Sequence, residues 1–194
     1  MRKFFSQQSG TALTEGVIIF PIMVLAVAAC VEFGFLLHQW NTGAKAMQLG
    51  VRKLIVSDPV TPDFYSVFSF DDSQTGGLIA PNAGAVSTCG ANTGVTCNAA
   101  LMQRIVSGSG SWQGLQAFFP ALQVDDITVT YQLNGLGYQG RPDGPVVSVR
   151  MELARNAINL PITSAILDLI DISFPSFAVT ATSEDLQSCP DGCS

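Results

Sequence analysis

The distribution of apolar residues changes sharply near residue 40. Residues 17–31 carry no charge, and the apolar character continues after Glu32 as far as Leu37. Because about 20 consecutive apolar residues suffice for a helix to cross a bilayer, this segment predicts one membrane-spanning helix. Apolar residues then recur at helical spacing up to Asp58-Pro59, where the residue before proline disfavours helix. We therefore predict one long helix over residues 11–56.

Two segments in the second half of the chain alternate apolar and polar residues, as half-buried strands do. They are Ile127 to Leu133 and Val147 to Leu153, and the Gly-rich link between them predicts an antiparallel hairpin. A third strand is expected at Ser176 to Glu184, after an apolar stretch, Ala157 to Ile172, that predicts a docked helix or loop. The fold class predicted is α+β, with a long N-terminal helix followed by a small antiparallel sheet of about three strands.

Residues 60–120 are rich in Gly, Ser, Asn and Thr, which predicts loops. Two short helices are expected within them, both covering the sheet. Asn98 can cap the first of these, and the second would carry Trp112 and end at Pro120.

Composition restricts the class of function. The length of 194 residues suits one modest domain. A net charge of −6 argues against nucleic acid or anionic lipid as the partner of the domain. Arg2 and Lys3 precede the apolar segment, so the N-terminus is expected in the cytoplasm and the remainder outside, although Lys45, Arg52 and Lys53 beyond the segment oppose this orientation.

Four of the five cysteines form two close pairs in the domain after the helix, Cys89 with Cys97 and Cys189 with Cys193. An exported domain favours oxidation, so two local disulfides are our first expectation. A clasp that joins the loop to the C-terminus is the alternative, because four cysteines allow three connectivities. Neither spacing is typical of a zinc site, and we expect no metal.

Three hypotheses compete for the N-terminal segment. A secretory signal would use the small-x-small step at Ala26 to Ala28, and a lipoprotein would be acylated at Cys30 after Val27-Ala28-Ala29. Cys30 is otherwise a small apolar side chain. The third hypothesis is a cut after Gly10, which would place the new amine on Thr11 and make Glu15 the fifth residue of the mature chain.

The third hypothesis is supported by an ordered series of residues along the helix: Gly10, Ala12-Leu13, Glu15, Pro21, Val31-Glu32-Phe33-Gly34 and Gly50-Val51-Arg52. With this series the chain resembles the TadE-like minor pilins of the tight-adherence (Tad, type IVc) pilus. A looser resemblance continues at Gly144 to Val149. This chain has Gly16 and Phe35 where the family usually has an aromatic and a basic residue.

The resemblance implies a prepilin. A prepilin peptidase would cut between Gly10 and Thr11, and the partners would be other pilin and minor pilin subunits, an inner-membrane pilus assembly platform, and the lipid around the helix. The expected organisation is a cytoplasmic leader (1–10), a transmembrane half of the helix (11–37), its exposed continuation (38–57) and an exported head (60–194) in the inner membrane or an extracellular pilus. The alternatives are an uncleaved bitopic envelope protein that binds a secretion component, and the Cys30 lipoprotein.

Two acidic residues in the helix need a physical explanation. An ionised carboxylate at mid-bilayer costs roughly 2.5–3.5 kcal/mol, so Glu15 should have a cationic partner, and the Thr11 amine would lie about one turn away. The alternative for Glu15 is a plain capping acid at the interface. Glu32 lies roughly 25 Å further along the helix, which favours the far head groups and no partner. Pro21 removes one backbone donor and can bend the helix.

The sequence offers little for catalysis. The one histidine, His38, lies beside the apolar segment, and no phosphate-binding or dinucleotide motif is present. Adjacent acids such as Asp71-Asp72, Asp125-Asp126 and Glu184-Asp185 point apart in a strand or loop and are interpreted as solvated charges. We expect a structural protein without a cofactor rather than an enzyme; an anchored hydrolase is the least favoured alternative.

Overall fold

The computed structural model describes residues 9–68, 76–77, 85–110, 112–138, 146–154, 177–183 and 186. Several predictions from the sequence fall outside these ranges. They concern the basic leader around Arg2 and Lys3, the apolar stretch 157–172, the pair Cys189 and Cys193, and the acidic pairs Asp71-Asp72 and Glu184-Asp185.

The chain begins with one helix, α1, over Ser9–Leu54, close to the predicted 11–56. The described residues group into two units, one with 9–38 and one with those from Gln39 onward. In the first unit most described side chains from Leu13 to Leu37 are exposed, although they are apolar. In the second unit α1 contributes Ala46, Met47, Val51 and Leu54 to a buried core.

The second unit is an α+β domain, as predicted. It contains the end of α1 and a series of short elements. In chain order these are α2 (Phe64–Val67), β1 (Val86–Gly90), α3 (Ala99–Ser107), β2 (Gly108–Ser109), β3 (Trp112–Gln113), 3₁₀ turns at Leu115–Ala117 and Val124–Asp126, β4 (Ile127–Leu136), β5 (Val146–Leu153) and β6 (Phe177–Thr182).

The main sheet has four antiparallel strands in the order β1-β4-β5-β6. The predicted hairpin is confirmed, with Ile127 opposite Leu153 and Tyr131 opposite Val149, and the predicted third strand is β6. The fourth strand, β1, lies in the stretch that we predicted to be loop. Its two buried residues are Ser87 and Cys89. Large apolar residues therefore do not alternate with polar ones in β1, and the sequence did not predict a strand there.

Helix α3 is confirmed, and its cap is the predicted one: the Asn98 side chain accepts hydrogen bonds from the backbone N–H groups of Ala100 and Leu101. The second predicted helix is wrong. Trp112 and Gln113 instead pair with β2 in a small hairpin, and only Leu115–Ala117 coils, as a 3₁₀ turn. Gly114 is extended (φ −75°, ψ 174°) and lies so close to the end of α3 that a β-carbon there would meet the backbone of Val106 and Ser107. The segment from Trp112 to Gly114 is therefore extended and does not begin a helix.

The predicted Cys89–Cys97 disulfide is present, which excludes a clasp from either of these cysteines to the C-terminus. It closes the loop between β1 and α3. Val60, in the segment after α1, is held close by: its N–H donates to the Tyr131 hydroxyl at 3.2 Å, and its carbonyl accepts from Asn98 N–H at 2.8 Å. The segment that follows α1 is thereby attached to both the sheet and α3.

Candidate functional site

The first unit presents an apolar helix whose side chains face outward. Leu13, Val17, Phe20 and Val24 are each at least half exposed. A soluble domain buries such side chains, so this surface is suited to lipid or to other apolar helices. The helix is also long and apolar enough to cross a membrane, a property that signal sequences share.

Glu15 and Gly10, on which the prepilin hypothesis depends, lie in the first turns of α1. Gly10 is exposed, with no atom near the position of a β-carbon, and its carbonyl accepts a hydrogen bond from the Thr14 hydroxyl at 3.3 Å. Glu15 is exposed as well. Five residues of helix separate them by about 7.5 Å, so the carboxylate and the Gly10-Thr11 peptide bond lie along one short section of helix.

Pro21 lies inside α1, where the helix continues without a break. A proline in this position cannot donate to the carbonyl four residues earlier, that of Val17. In lipid such a carbonyl is costly unless another group satisfies it. Pro21 therefore marks a place in the span where the backbone is open to a polar partner.

Glu32 differs from its neighbours in the span. Its side chain is 6% exposed, whereas Val31 and Phe33 on either side are 68% and 60% exposed. We expected a carboxylate in the head-group layer without a partner, and the structure instead encloses it within the chain. An enclosed carboxylate in an apolar segment has a high desolvation cost, so Glu32 is a candidate functional residue in its own right.

The described part of the second unit shows how the rest of α1 is held. Trp40 packs edge to face on Phe177 of β6. Near the other end of this section, Lys53 Nζ donates to the Gln113 carbonyl and lies 5.2 Å from the centre of the Trp112 ring. Partial burial lowers the pKa of Lys53. The Trp40 ring is partly buried and packs against the core of the domain.

Gly43 and Gly50 allow α1 to approach the sheet closely. Glycine inside a helix lowers its stability by about 1 kcal/mol relative to alanine, and the structure shows what each of these two glycines contacts. A β-carbon on Gly43 would lie 3.5 Å from Leu153 and Phe177 side-chain atoms, which is an ordinary contact. One on Gly50 would lie 2.9 Å from Met151 Cε and 3.2 Å from Leu115 Cδ1. Gly50, part of the Gly50-Val51-Arg52 motif, is therefore a packing position.

A cleft with a volume of about 370 Å³ lies beside the disulfide-closed loop. Its lining is mostly apolar and comes from the disulfide-closed loop and the turn before β4, with Asp125 as the acid. In the described part of the chain no three His, Cys, Asp or Glu side chains are grouped to hold a metal ion. The cleft therefore combines an apolar wall with one carboxylate, and these features suit the binding of another molecule.

Residues 10–52 match the family of TadE-like proteins. This match covers the N-terminal helix and confirms the resemblance drawn from Gly10, Glu15 and the motifs that follow them. It indicates a protein associated with the Tad pilus. The match ends within α1, before the sheet domain begins. No curated protein matches the chain, and no solved structure matches it.

Proposed function

We propose that this protein is a minor pilin of the Tad pilus. A prepilin peptidase cuts it after Gly10, and its N-terminal helix then passes from the bilayer into the pilus, as a subunit or as a primer of assembly. The TadE-like match over residues 10–52 supports the family assignment. The observation that carries the proposal is the surface of α1 from Leu13 to Leu37, which is apolar and exposed and so requires first lipid and then other helices to cover it.

Glu15 is assigned the role of an assembly residue. The cut would create an ammonium group on Thr11, about one helical turn away. In an apolar environment an acid and an amine stabilise each other's charged forms. The acid of one subunit therefore neutralises the amine of its own helix or of a neighbouring helix when helices pack in the fibre core. Pro21, which is exposed, is assigned to the same apolar surface as a further contact between helices. Glu32, which is only 6% exposed, is also assigned to assembly, through its position within the chain and not through direct contact with another helix.

The proposed orientation is supported by the basic leader and by the disulfide of the domain. Arg2 and Lys3 stay on the cytoplasmic side of the inner membrane, and the disulfide-closed domain faces the outside, where oxidation is possible. The protein acts as a structural subunit without a cofactor, and the peptidase performs the one chemical step. Its other partners are pilin and minor pilin subunits and the assembly platform in the inner membrane.

Mass spectrometry of the N-terminus of the protein isolated from cells tests the proposal. A mature chain that begins at Thr11 is the expected result. A chain that begins at Met1 would favour the uncleaved bitopic anchor, and an acylated Cys30 would favour the lipoprotein; either result would overturn the proposed processing. Mechanical shearing of the cells then separates the two assembly roles, because a fibre subunit leaves with the sheared fraction and an assembly factor stays with the membrane.

A further inference from the structure

The outward face of α1 in the second unit carries a polar stripe. Four exposed residues form it: Asn41, Lys45, Gln48 and Arg52. At 100° per residue they fall within an arc of about 60°. The buried positions of the same section, among them Gly50 and Leu54, lie on the opposite side of the helix. We call these four residues the basic stripe.

The two cations of the stripe are not used within the described part of the domain. Lys53 donates to the Gln113 carbonyl, and Arg150 pairs with Glu152 at 3.2 Å. Lys45 and Arg52 have no hydrogen bond or ion pair with any residue in the described ranges. They lie about 10 Å apart along the helix axis, so the stripe offers two separated positive charges to a partner that lies alongside it.

The chain itself offers a matching surface. Its net charge of −6 means that a second copy is acidic overall. Asp63 accepts from the Ser87 hydroxyl, and Asp126 accepts from Gln123 N–H. Asp125 is exposed and has no hydrogen bond or ion pair within the same ranges.

Asp125 also lies on the rim of the cleft described above. The walls of that cleft include Gly94, Val95, Ala99 and Val124. An apolar cleft with a carboxylate at its edge suits a long basic side chain, whose methylene stem covers apolar surface while its charged end meets the acid. Both the charge and the shape of this site therefore fit lysine or arginine.

We propose that the basic stripe of one copy docks on the Asp125 cleft of the next copy. In this head-to-tail contact each copy uses its stripe on one neighbour and its cleft on another, an arrangement that generates either a ring or an open filament. The pilin function selects the open filament. This inference deepens the proposed pilin function and rests on it. Anionic head groups are the less suitable partner, because a stripe that runs along a helix leaving the membrane meets a lipid layer only at its near end.

The test uses the full chain in mild detergent, with self-association measured by light scattering at low salt. The stripe variant Lys45→Glu/Arg52→Glu and the cleft variant Asp125→Lys should each weaken association about tenfold or more, because like charges would then face each other. Arg104→Glu, an exposed cation of α3 outside the stripe, is the matched control and should associate like the wild type.

A mixture of the stripe variant and the cleft variant gives the sharpest result. The intact stripe of the cleft variant then meets the intact cleft of the stripe variant, and the glutamates of the stripe variant meet the lysine of the cleft variant. The mixture should therefore form mixed assemblies, although each variant alone associates weakly. The triple charge-swapped chain should again form longer assemblies. Thermal unfolding of every variant checks that the domain is folded.

The proposal is overturned if the wild type stays monomeric at low salt, if either variant alone associates normally, or if the mixture forms no mixed assembly. It is also overturned if the stripe variant loses binding to anionic vesicles relative to neutral ones while its self-association is unchanged, which would assign the stripe to lipid. None of these readouts depends on cleavage after Gly10 or on fibres in cells, so failure of this contact is distinguishable from failure of the pilin function.

Discussion

Gly50 of α1 lies against Met151 of β5 so closely that a β-carbon on the glycine would come within 2.9 Å of the methionine Cε. Met151 is fully buried and opposite Val129 in the sheet. A glycine in the middle of a helix costs about 1 kcal/mol relative to alanine. Here that cost is offset by contact between the helix and the sheet, which joins the TadE-like segment to the core of the domain.

Replacing each of the two glycines with alanine should therefore have different effects. Gly43→Ala should raise the free energy of unfolding by about 1 kcal/mol, because its β-carbon has room. Gly50→Ala gains the same propensity but overpacks Met151 and Leu115, which costs about 1–3 kcal/mol, so it should be the less stable variant by that amount. Urea unfolding of the full chain in detergent measures both; equal stability of the two variants would contradict the packing role of Gly50.

The Tyr131 hydroxyl provides a second prediction, because it accepts the hydrogen bond of Val60 N–H in the core. Tyr131→Phe keeps the ring that packs on Phe64, with centroids 5.1 Å apart, but leaves that buried N–H without its acceptor. The loss should be about 1–3 kcal/mol in the free energy of unfolding. Tyr65, 72% exposed, is the control: Tyr65→Phe should change stability by less than about 0.5 kcal/mol.

The same tyrosine should make the domain sensitive to alkali. Burial raises the pKa of Tyr131 to about 12 from 10.0. Between these values the unfolded chain loses the phenolic proton while the folded chain keeps it, so stability is complete below pH 10 and falls as the pH rises to 12. The fall should be about 2–3 kcal/mol. In Tyr131→Phe the fall in stability between pH 10 and 12 should become smaller by this amount. A variant with the same pH dependence as the wild type would contradict the prediction.

Replacing either cysteine of the disulfide should lower the free energy of unfolding, but by different amounts. The bridge spans a separation of 8 residues, so it should contribute about 2–3 kcal/mol. Cys97→Ser should lose about that amount. Cys89 is fully buried, so Cys89→Ser should lose roughly 1–3 kcal/mol more, because a hydroxyl would then be buried in the core. Cys30→Ser, outside the bridge, should leave the unfolding of the domain unchanged under reducing and oxidising conditions alike.

The fold could be predicted where apolar periodicity was strong. The β4–β5 hairpin and the strand β6 each have apolar residues at alternating positions, and both were predicted. The long helix was also predicted, from an exposed apolar segment followed by apolar residues at helical spacing that are buried from Ala46 to Leu54. Strand β1 buries Ser87 and Cys89 and is stabilised by its neighbour β4, not by its own pattern. The short hairpin of Trp112 depends on glycines that allow close backbone contacts, and such contacts between distant residues leave no periodic signal.

The candidate site could be predicted only in part. Gly10 and Glu15 were selected because their spacing is local, and the TadE-like match over residues 10–52 spans both of them, but their roles stay predictions. The enclosure of Glu32 was not predicted, because a carboxylate next to Phe33 looks the same in sequence whether it faces a head group or protein. The charges of Lys45 and Arg52 were interpreted only for membrane orientation, and their position on one outward stripe became visible once the buried face of the helix was known.

Glu15 provides the decisive prediction for assembly. Glu15→Ala should leave membrane insertion intact, because it makes the segment more apolar. It should lower the amount of protein in sheared pili by about tenfold or more, because the Thr11 amine would enter the fibre without an acid, and an unpaired charge in an apolar environment costs roughly 2.5–3.5 kcal/mol. Membrane fractions and sheared fractions of the same culture give both quantities.

Two variants separate the charge of Glu15 from its shape. Glu15→Gln keeps the size of the side chain and removes the charge, so it should behave like Glu15→Ala, whereas Glu15→Asp keeps the charge and should retain part of the incorporation. The N-terminus of each variant is sequenced, since a chain still cut at Thr11 assigns the defect to assembly and an uncut chain assigns it to recognition by the peptidase. Normal amounts of cut Glu15→Gln in sheared pili would mean that the carboxylate does not neutralise the amine.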